Sequence, residues 1–376
     1  MSGIPAGGRY RFRDAEAGDD LILRQILRAT PLPGWATLGF EREPNYFQGC
    51  SIEGDTRTIL ASTADGDPVG FFSRAVRPAW IGGRPTRLGY LGQLRLLPEW
   101  RCRSRLILRG FQVCKELLHD GHQATPYYLT SILSDNELAR RILTAGIRGM
   151  PSYLPLSAYL TLVAACRQPL TSRRLSPPYG VTTATEAGLD SLTHLLQACG
   201  SRYALHPYWD TDGLRALQPV GWRPENTLLL MRNDRPVACG TIWDQRPVRQ
   251  QRITAYSPAL AITRPIVSAA LKFAGFPDLP KPGQVLRHGF LSHLAVVPGE
   301  EAVLPGLIAT LLRQAKSKGL SSITLGLSEG HPWLPYLGKL RALRYRSQLY
   351  LVHWEEGREA AEAVARQSVQ TEAACL

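Results

Sequence analysis

Tyr90-Leu91-Gly92-Gln93-Leu94-Arg95-Leu96-Leu97-Pro98-Glu99-Trp100-Arg101-Cys102-Arg103-Ser104-Arg105-Leu106 is the stretch on which the reading of this chain turns. Tyr90 to Leu97 reads as a strand, closed by Pro98. A short basic loop follows and the chain rolls into a helix. Leu106, Leu108, Phe111, Cys114, Leu117 and Leu118 recur at three- and four-residue steps, the helical period, and Gly121 supplies the stop signal. Working outward, Tyr127 to Leu133 is a β-rich run. Ser134-Asp135-Asn136 then offers an N-cap to a helix through Glu137, Ala139, Ile142 and Leu143.

The loop has a specific chemistry. The first turn of a helix presents unpaired N–H groups and the positive end of the helix dipole, and phosphates settle there. Here that turn carries Arg101, Arg103 and Arg105, with Arg109 one turn on. The planar guanidinium suits bidentate phosphate binding, so the loop reads as a seat for a pyrophosphate.

The order strand, Pro, Arg-x-Arg loop, helix, strand, Asn-x-x-Ala helix resembles the GNAT (GCN5-related) acyl-CoA N-acyltransferases, over roughly residues 8 to 166. The resemblance implies that acetyl-CoA lies along Leu94, Arg95 and Leu96. Its pyrophosphate would rest on Arg101, Cys102, Arg103, Ser104, Arg105 and Leu106, with Asn136 touching its arm. Ser104 and Leu106 stand where that family usually has glycines, and Leu143 where it usually has the tyrosine that protonates the thiolate. The thioester carbonyl would be polarised by a backbone amide near Leu94 or Leu96. Gln93 occupies the place of the usual glutamate base and cannot take a proton. Gln93, His293 and Tyr128 are the remaining candidates for catalysis, and Tyr46 and Tyr153 candidates to line the site.

Internal repetition extends this reading. Leu91 to Pro98 lines up with Leu291 to Pro298 at an offset of 200 residues (291 − 91), Leu133-Ser134-Asp135 with Leu327-Ser328-Glu329, and Tyr159-Leu160 with Tyr350-Leu351. Matched landmarks in one order point to a duplication. The expected fold is α/β with a mixed sheet, built as two tandem GNAT-like domains. The first, residues 1–167, binds CoA. A Pro- and Arg-rich linker spans 168–179, and a degenerate second domain spans 180–355. An Ala/Glu-rich tail, 356–376, is expected to be a loose helix or disordered. Where the first half has its arginines, the second has Gly299-Glu300-Glu301, which suits a helix start but repels a pyrophosphate. Trp35 to Tyr46 is expected to be a short helical or irregular piece.

The formal net charge of +13 fits an anionic ligand, nucleic acid or an acidic partner. Nucleic acid is disfavoured, because no basic patch interleaved with aromatics stands outside the loop. Seven scattered cysteines form no CxxC pair, so neither a metal site nor a disulfide framework is expected. Residues 1–5 lack the layout of a signal peptide and no apolar run approaches a membrane span, so the expectation is a cytoplasmic protein, monomeric or homodimeric. The function these readings imply is direct transfer of acetyl from acetyl-CoA to an amine: a small molecule, an amino acid or a peptide. The competing reading is a degenerate binding module for nucleic acid or an acidic protein.

Overall fold

The structure, a computed structural model, describes residues 9–101, 103–121, 124–167 and 179–376. The first half runs β1 (Tyr10–Asp14), α1 (Asp20–Ala29), β2 (Ala36–Glu41), β3 (Asp55–Thr63), β4 (Pro68–Ile81), β5 (Arg84–Leu96), α2 (Ser104–Leu118), β6 (Tyr128–Leu133), α3 (Glu137–Leu143) and β7 (Ser152–Ala165). The second runs β8 (Tyr179–Thr183), α4 (Leu189–Gly200), α5 (Thr211–Ala216), β9 (Thr227–Arg232), β10 (Arg235–Trp243), β11 (Gln250–Tyr256), α6 (Pro258–Phe273), β12 (His288–Val296), α7 (Leu304–Ser317), β13 (Ser322–Ser328) and β14 (Ala342–His353). α8 (Arg358–Ala365) follows.

Among the described residues, twelve strands form one sheet in the order β1-β3-β4-β5-β6-β14-β7-β13-β12-β10-β9-β8. Each half builds an outer wing and lends its last long strand to the other. β14 pairs antiparallel with β6 of the first half, and β7 pairs antiparallel with β13 of the second. β14 and β7 meet at the centre, from Ala342 opposite Ala164 to His353 opposite Ser152. The expected linker at 168–178 lies outside the described residues; Tyr179 opens β8.

Layering follows from side-chain alternation along the strands. Adjacent residues Phe71 and Phe72 on β4 point to opposite faces. Phe71 packs under α1 with Leu23, Ile26, Leu27 and Tyr46, and Phe72 packs under α2 with Phe111, Leu117 and Tyr128. In the second half α7 seals the sheet through Leu304, Leu307, Ile308 and Leu311.

Two expectations are corrected. Within Trp35 to Tyr46, Ala36–Glu41 is strand and the rest irregular: β2 pairs with β11, so the two halves contribute one strand each to a ribbon. The tail is neither loose nor disordered. α8 packs on the central strands, and Val369, Gln370, Thr371, Glu372, Ala374 and Cys375 are buried. The Ala/Glu composition reads as solvated helix. These side chains are instead buried by strands distant in sequence.

Candidate active site

β5 and β6 run parallel for only two residue pairs, Gly89 with Tyr128 and Tyr90 with Leu129, and then separate. At the point of separation Gln93 adopts φ of 52°, in the left-handed region that a residue with a Cβ rarely enters. The β4–β5 register shifts opposite it, between Phe71 and Ser73. Strain of this kind persists only where the surroundings enforce it, and here it turns backbone out of the ladder. The opening leads to a cavity of about 420 Å³ between the halves, whose lining includes Gln93, Ser131, Asn136, Tyr159 and Tyr345. The Gln93 Oε1 atom is buried without a hydrogen-bond partner.

The basic loop begins with a single turn at Pro98–Trp100, and α2 starts at Ser104 with Arg103 as its N-cap. Arg103 lies over the Trp100 ring, 5.9 Å from its centroid, and Arg101 Nε donates to the Leu96 carbonyl at 3.4 Å. Arg103, Ser104 and Arg105 are exposed. Leu106 is 2% exposed and packs with Ala61 and Val69, so its side chain turns inward, away from the helix start. Leu94 and Leu96 border a small apolar groove of about 40 Å³ with Leu91, Ile107 and Phe111. Asn136 accepts from the Ala139 amide at 3.2 Å, capping α3, and also borders the central cavity. Cys102 lies outside the described residues.

Other candidates lie elsewhere. Tyr128 is fully buried beneath α2 and donates its hydroxyl to the Cys114 carbonyl at 3.0 Å; burial pushes that hydroxyl well up. Tyr46 bonds Ser73 Oγ at 2.9 Å, and burial pushes it up to about 12. Tyr153 packs edge-on against Phe111 and Tyr350. His293 occupies the second half's counterpart of the Gln93 position, with φ of 49°. It is packed among Trp209, Trp222 and Trp243, and burial pushes it down to about 3.

That second opening is entered by the chain itself, which leaves a cavity of about 110 Å³ beside His293 and Glu372. β12 and β13 run parallel for three residue pairs, His288–Phe290 with Ser322–Thr324, and then separate like β5 and β6. Residues 369–376 enter the gap. The His293 amide donates to Glu372 Oε1 at 3.1 Å. Gln370 accepts from the Ser328 amide at 2.8 Å and donates to the Gly326 carbonyl at 3.1 Å. The acids at the start of α7 are also engaged. Glu300 binds Arg232 at 2.5 Å and accepts from the Tyr179 hydroxyl at 2.6 Å, and Glu301 accepts from the Gly299 amide at 2.9 Å.

On the α1 face of the sheet stands a group that sequence reasoning passed over. Arg42 Nη2 lies 2.5 Å from Glu53 Oε1, with both side chains almost wholly buried. Arg249 Nη2 shares that oxygen at 3.6 Å. Arg95 is nearby, its Nη1 donating to the Thr30 carbonyl at 3.0 Å and its guanidinium 5.4 Å from the Phe40 ring centroid. Burial pushes Arg95 down to about 10 and lowers Arg249. The segment from Asp244 to Arg249 carries no motif, so its part in this group is visible only after folding.

Among the described residues, no cluster of His, Cys, Asp or Glu is arranged to hold a metal ion, and no helix is long and apolar enough to cross a membrane.

No family model matches this chain, and no curated protein matches it. Solved structures do. The GCN5-related glucosamine N-acetyltransferase region of a fungal multi-domain GH3 β-N-acetylglucosaminidase is 13% identical with a TM-score of 0.60; the match covers 92% of this chain and 38% of that one. A GCN5-related N-acetyltransferase from Sphaerobacter thermophilus is 13% identical with a TM-score of 0.54, covering 93% of this chain and 96% of that one. Saccharomyces cerevisiae N-myristoyltransferase, solved with bound myristoyl-CoA, is 11% identical with a TM-score of 0.60, covering 93% and 80%. The chain therefore has the fold of the GCN5-related N-acyltransferases, laid down twice.

Proposed function

We propose that this protein is an acyl-CoA-dependent N-acyltransferase that moves acetyl from acetyl-CoA directly to an amine bound in the central cavity. One observation carries the reading: β5 and β6 part beside Gln93, which lines a cavity large enough for an acceptor, and the strand that carries Gln93 runs on to an arginine-bearing helix start. In this reading the pyrophosphate rests on the first turn of α2 against Arg101, Arg103 and Arg105. The pantetheine arm passes Leu94, Leu96 and Asn136, and the thioester reaches the turn at Gln93.

The chemistry needs a neutral amine, a stabilised oxyanion and a departing thiolate. Backbone turned out of the ladder beside Gln93 supplies an amide for the oxyanion. Gln93 cannot remove a proton, but its free Oε1 accepts a hydrogen bond from the amine and aims the lone pair. The surrounding guanidiniums, Arg42, Arg95 and Arg249, disfavour an ammonium and favour a thiolate. The N–C bond forms as the C–S bond breaks. The amine proton passes to solvent, and water returns a proton to the thiolate.

Calorimetric titration of acetyl-CoA against the native chain and Arg103→Glu tests this. Saturable micromolar binding that the variant loses is the expected result. No heat with acetyl-CoA, together with salt-sensitive binding of random DNA, overturns it in favour of a nucleic-acid-binding module.

A further inference from the structure

Beside the central cavity, the group of Arg42, Glu53, Arg95 and Arg249 carries a charge that its own members do not balance. Arg42, Arg95 and Arg249 bring three positive charges to the α1 face, against the single negative charge of Glu53, which leaves two (3 − 1). The nearby phenols do not offset this. Burial pushes the Tyr46 and Tyr90 hydroxyls up to about 12, so both stay neutral. Glu53 belongs to Arg42, by distance and because its charge raises that guanidinium. Arg249 is left with the longer contact of 3.6 Å and a hydrogen bond from Nη2 to the Leu376 carbonyl oxygen at 3.0 Å. Assigning that oxygen a full negative charge still leaves the group one positive. Arg249 Nη1 is buried without a partner, as are Arg95 Nε and, four residues before Arg249, the Gln245 Oε1 atom.

Burying a cation without a counter-ion is costly, so such a group stands ready for an anion. Arg249, Arg42 and Gln245 all border the cavity, whose other walls are largely apolar: Trp35, Leu38, Phe40, Ile253, Tyr256 and Phe290. Gln93, Arg42 and Arg249 line the same cavity, so the anion-ready group and the proposed point of transfer open onto one space. The group is distinct from the pyrophosphate seat. α2 covers the Phe72 face of the sheet, whereas Arg42 stacks 4.7 Å above Tyr46, which packs with Phe71 on the other face.

Building on the acyl-transfer reading above, we propose that the acceptor is an amine that also carries a carboxylate, an amino acid or short peptide with an apolar side chain, and that Arg249 is the residue that reads the carboxylate. The vacant Nη1 end of the guanidinium takes the carboxylate, the apolar walls take the side chain, and the amine is left pointing at Gln93. The carboxylate supplies the missing negative charge, so binding relieves a penalty already present in the free protein. An amine without the acid leaves Arg249 Nη1 without a partner and is bound more weakly.

The test uses N-acetyl-L-leucine and N-acetyl-L-phenylalanine, each beside its carboxamide, titrated calorimetrically into the full chain with and without CoA. The acids are expected to bind about tenfold or more tighter than the amides, the margin of one charge-assisted contact. Arg249→Gln should erase the preference with the melting temperature unchanged or raised. Arg249→Lys, which keeps the charge but loses the fork, should retain part of it. Equal affinity for acid and amide in the native chain, no binding of either, or a preference that survives Arg249→Gln overturns the proposal. The native-chain comparison needs no variant to fold. Acetyl-CoA titration in parallel separates the two readings. Acid preference without acetyl-CoA binding sinks acyl transfer alone, and acetyl-CoA binding without acid preference sinks the carboxylate site alone.

Discussion

The two halves repeat one device with opposite contents. In each, a long strand pairs briefly with a parallel neighbour and then diverges, at a non-glycine residue held near φ of 50°, Gln93 in one and His293 in the other. In each, the antiparallel pairing with the neighbouring strand, β4 in one and β10 in the other, carries a register shift opposite that residue. The first opening borders the central cavity, and the strand beyond it leads to a helix start that carries Arg101, Arg103 and Arg105. The second holds residues 369–376, and its helix start carries Glu300 and Glu301. One geometry thus stands in two settings, which differ in the charge at the helix start and in the segment that enters the gap.

The largest expected effect comes from treating the halves as separable. A fragment of residues 1–170 loses β14, which lies between β6 and β7. It should not give the native monomer, by size-exclusion chromatography and circular dichroism. A folded fragment that still binds acetyl-CoA would mean that the strand exchange is dispensable. Next in size is charge reversal. Arg103→Glu should weaken acetyl-CoA binding by about a hundredfold, because a seat for two phosphates gains a repulsive carboxylate. The reverse change, Glu300→Arg with Glu301→Arg, should create no second binding event in the same calorimetric assay, since residues 369–376 stand in the slot behind it. A second event would show that this segment is displaceable.

Smaller effects sharpen the contrast. Gln370→Ala removes hydrogen bonds from a buried site and leaves the Ser328 amide and Gly326 carbonyl unsatisfied. The expected loss is about 1–3 kcal/mol of stability, read by denaturant unfolding. Acetyl-CoA affinity should be unchanged. The smallest effect is on pH dependence. Burial pushes His206, His288 and His331 down to about 4 and His293 to about 3. The unfolded chain therefore takes up protons there, from its ordinary imidazole value of 6.5 downward, that the folded chain refuses. Their stabilising contribution is present above pH 6.5 and is lost as pH falls. Glu372 opposes them. Burial raises it from 4.5 to about 7, so its contribution is present below pH 4.5 and is lost as pH rises toward 7. With four groups against one, the melting temperature should climb from pH 4 to 6.5. Glu372→Gln should steepen that climb and remove the shallow decline just above it.

Local signals were strong where a residue's neighbours along the chain set its environment. The apolar period of α2, the Asn136 cap and the duplication around Gln93 and His293 all fall in this class. Each depends on contacts within a few residues, so the order of residues carries the information. Leu106 shows the limit of motif matching. It stands where the resemblance has glycine, yet its side chain packs inward with Ala61 and Val69.

By itself the sequence determined an α/β chain of two like halves, with one cationic strand-to-helix turn and one acidic counterpart. Tertiary structure alone decided the exchange of β7 and β14, the ribbon of β2 and β11, the entry of residues 369–376 into the second slot and the meeting of Arg42, Glu53, Arg95 and Arg249. The reason is physical. Hydrogen-bond ladders and buried charges are satisfied by whatever partner the fold brings within reach, and here those partners stand as far apart as Glu53 and Arg249. No local pattern records a choice made across that distance.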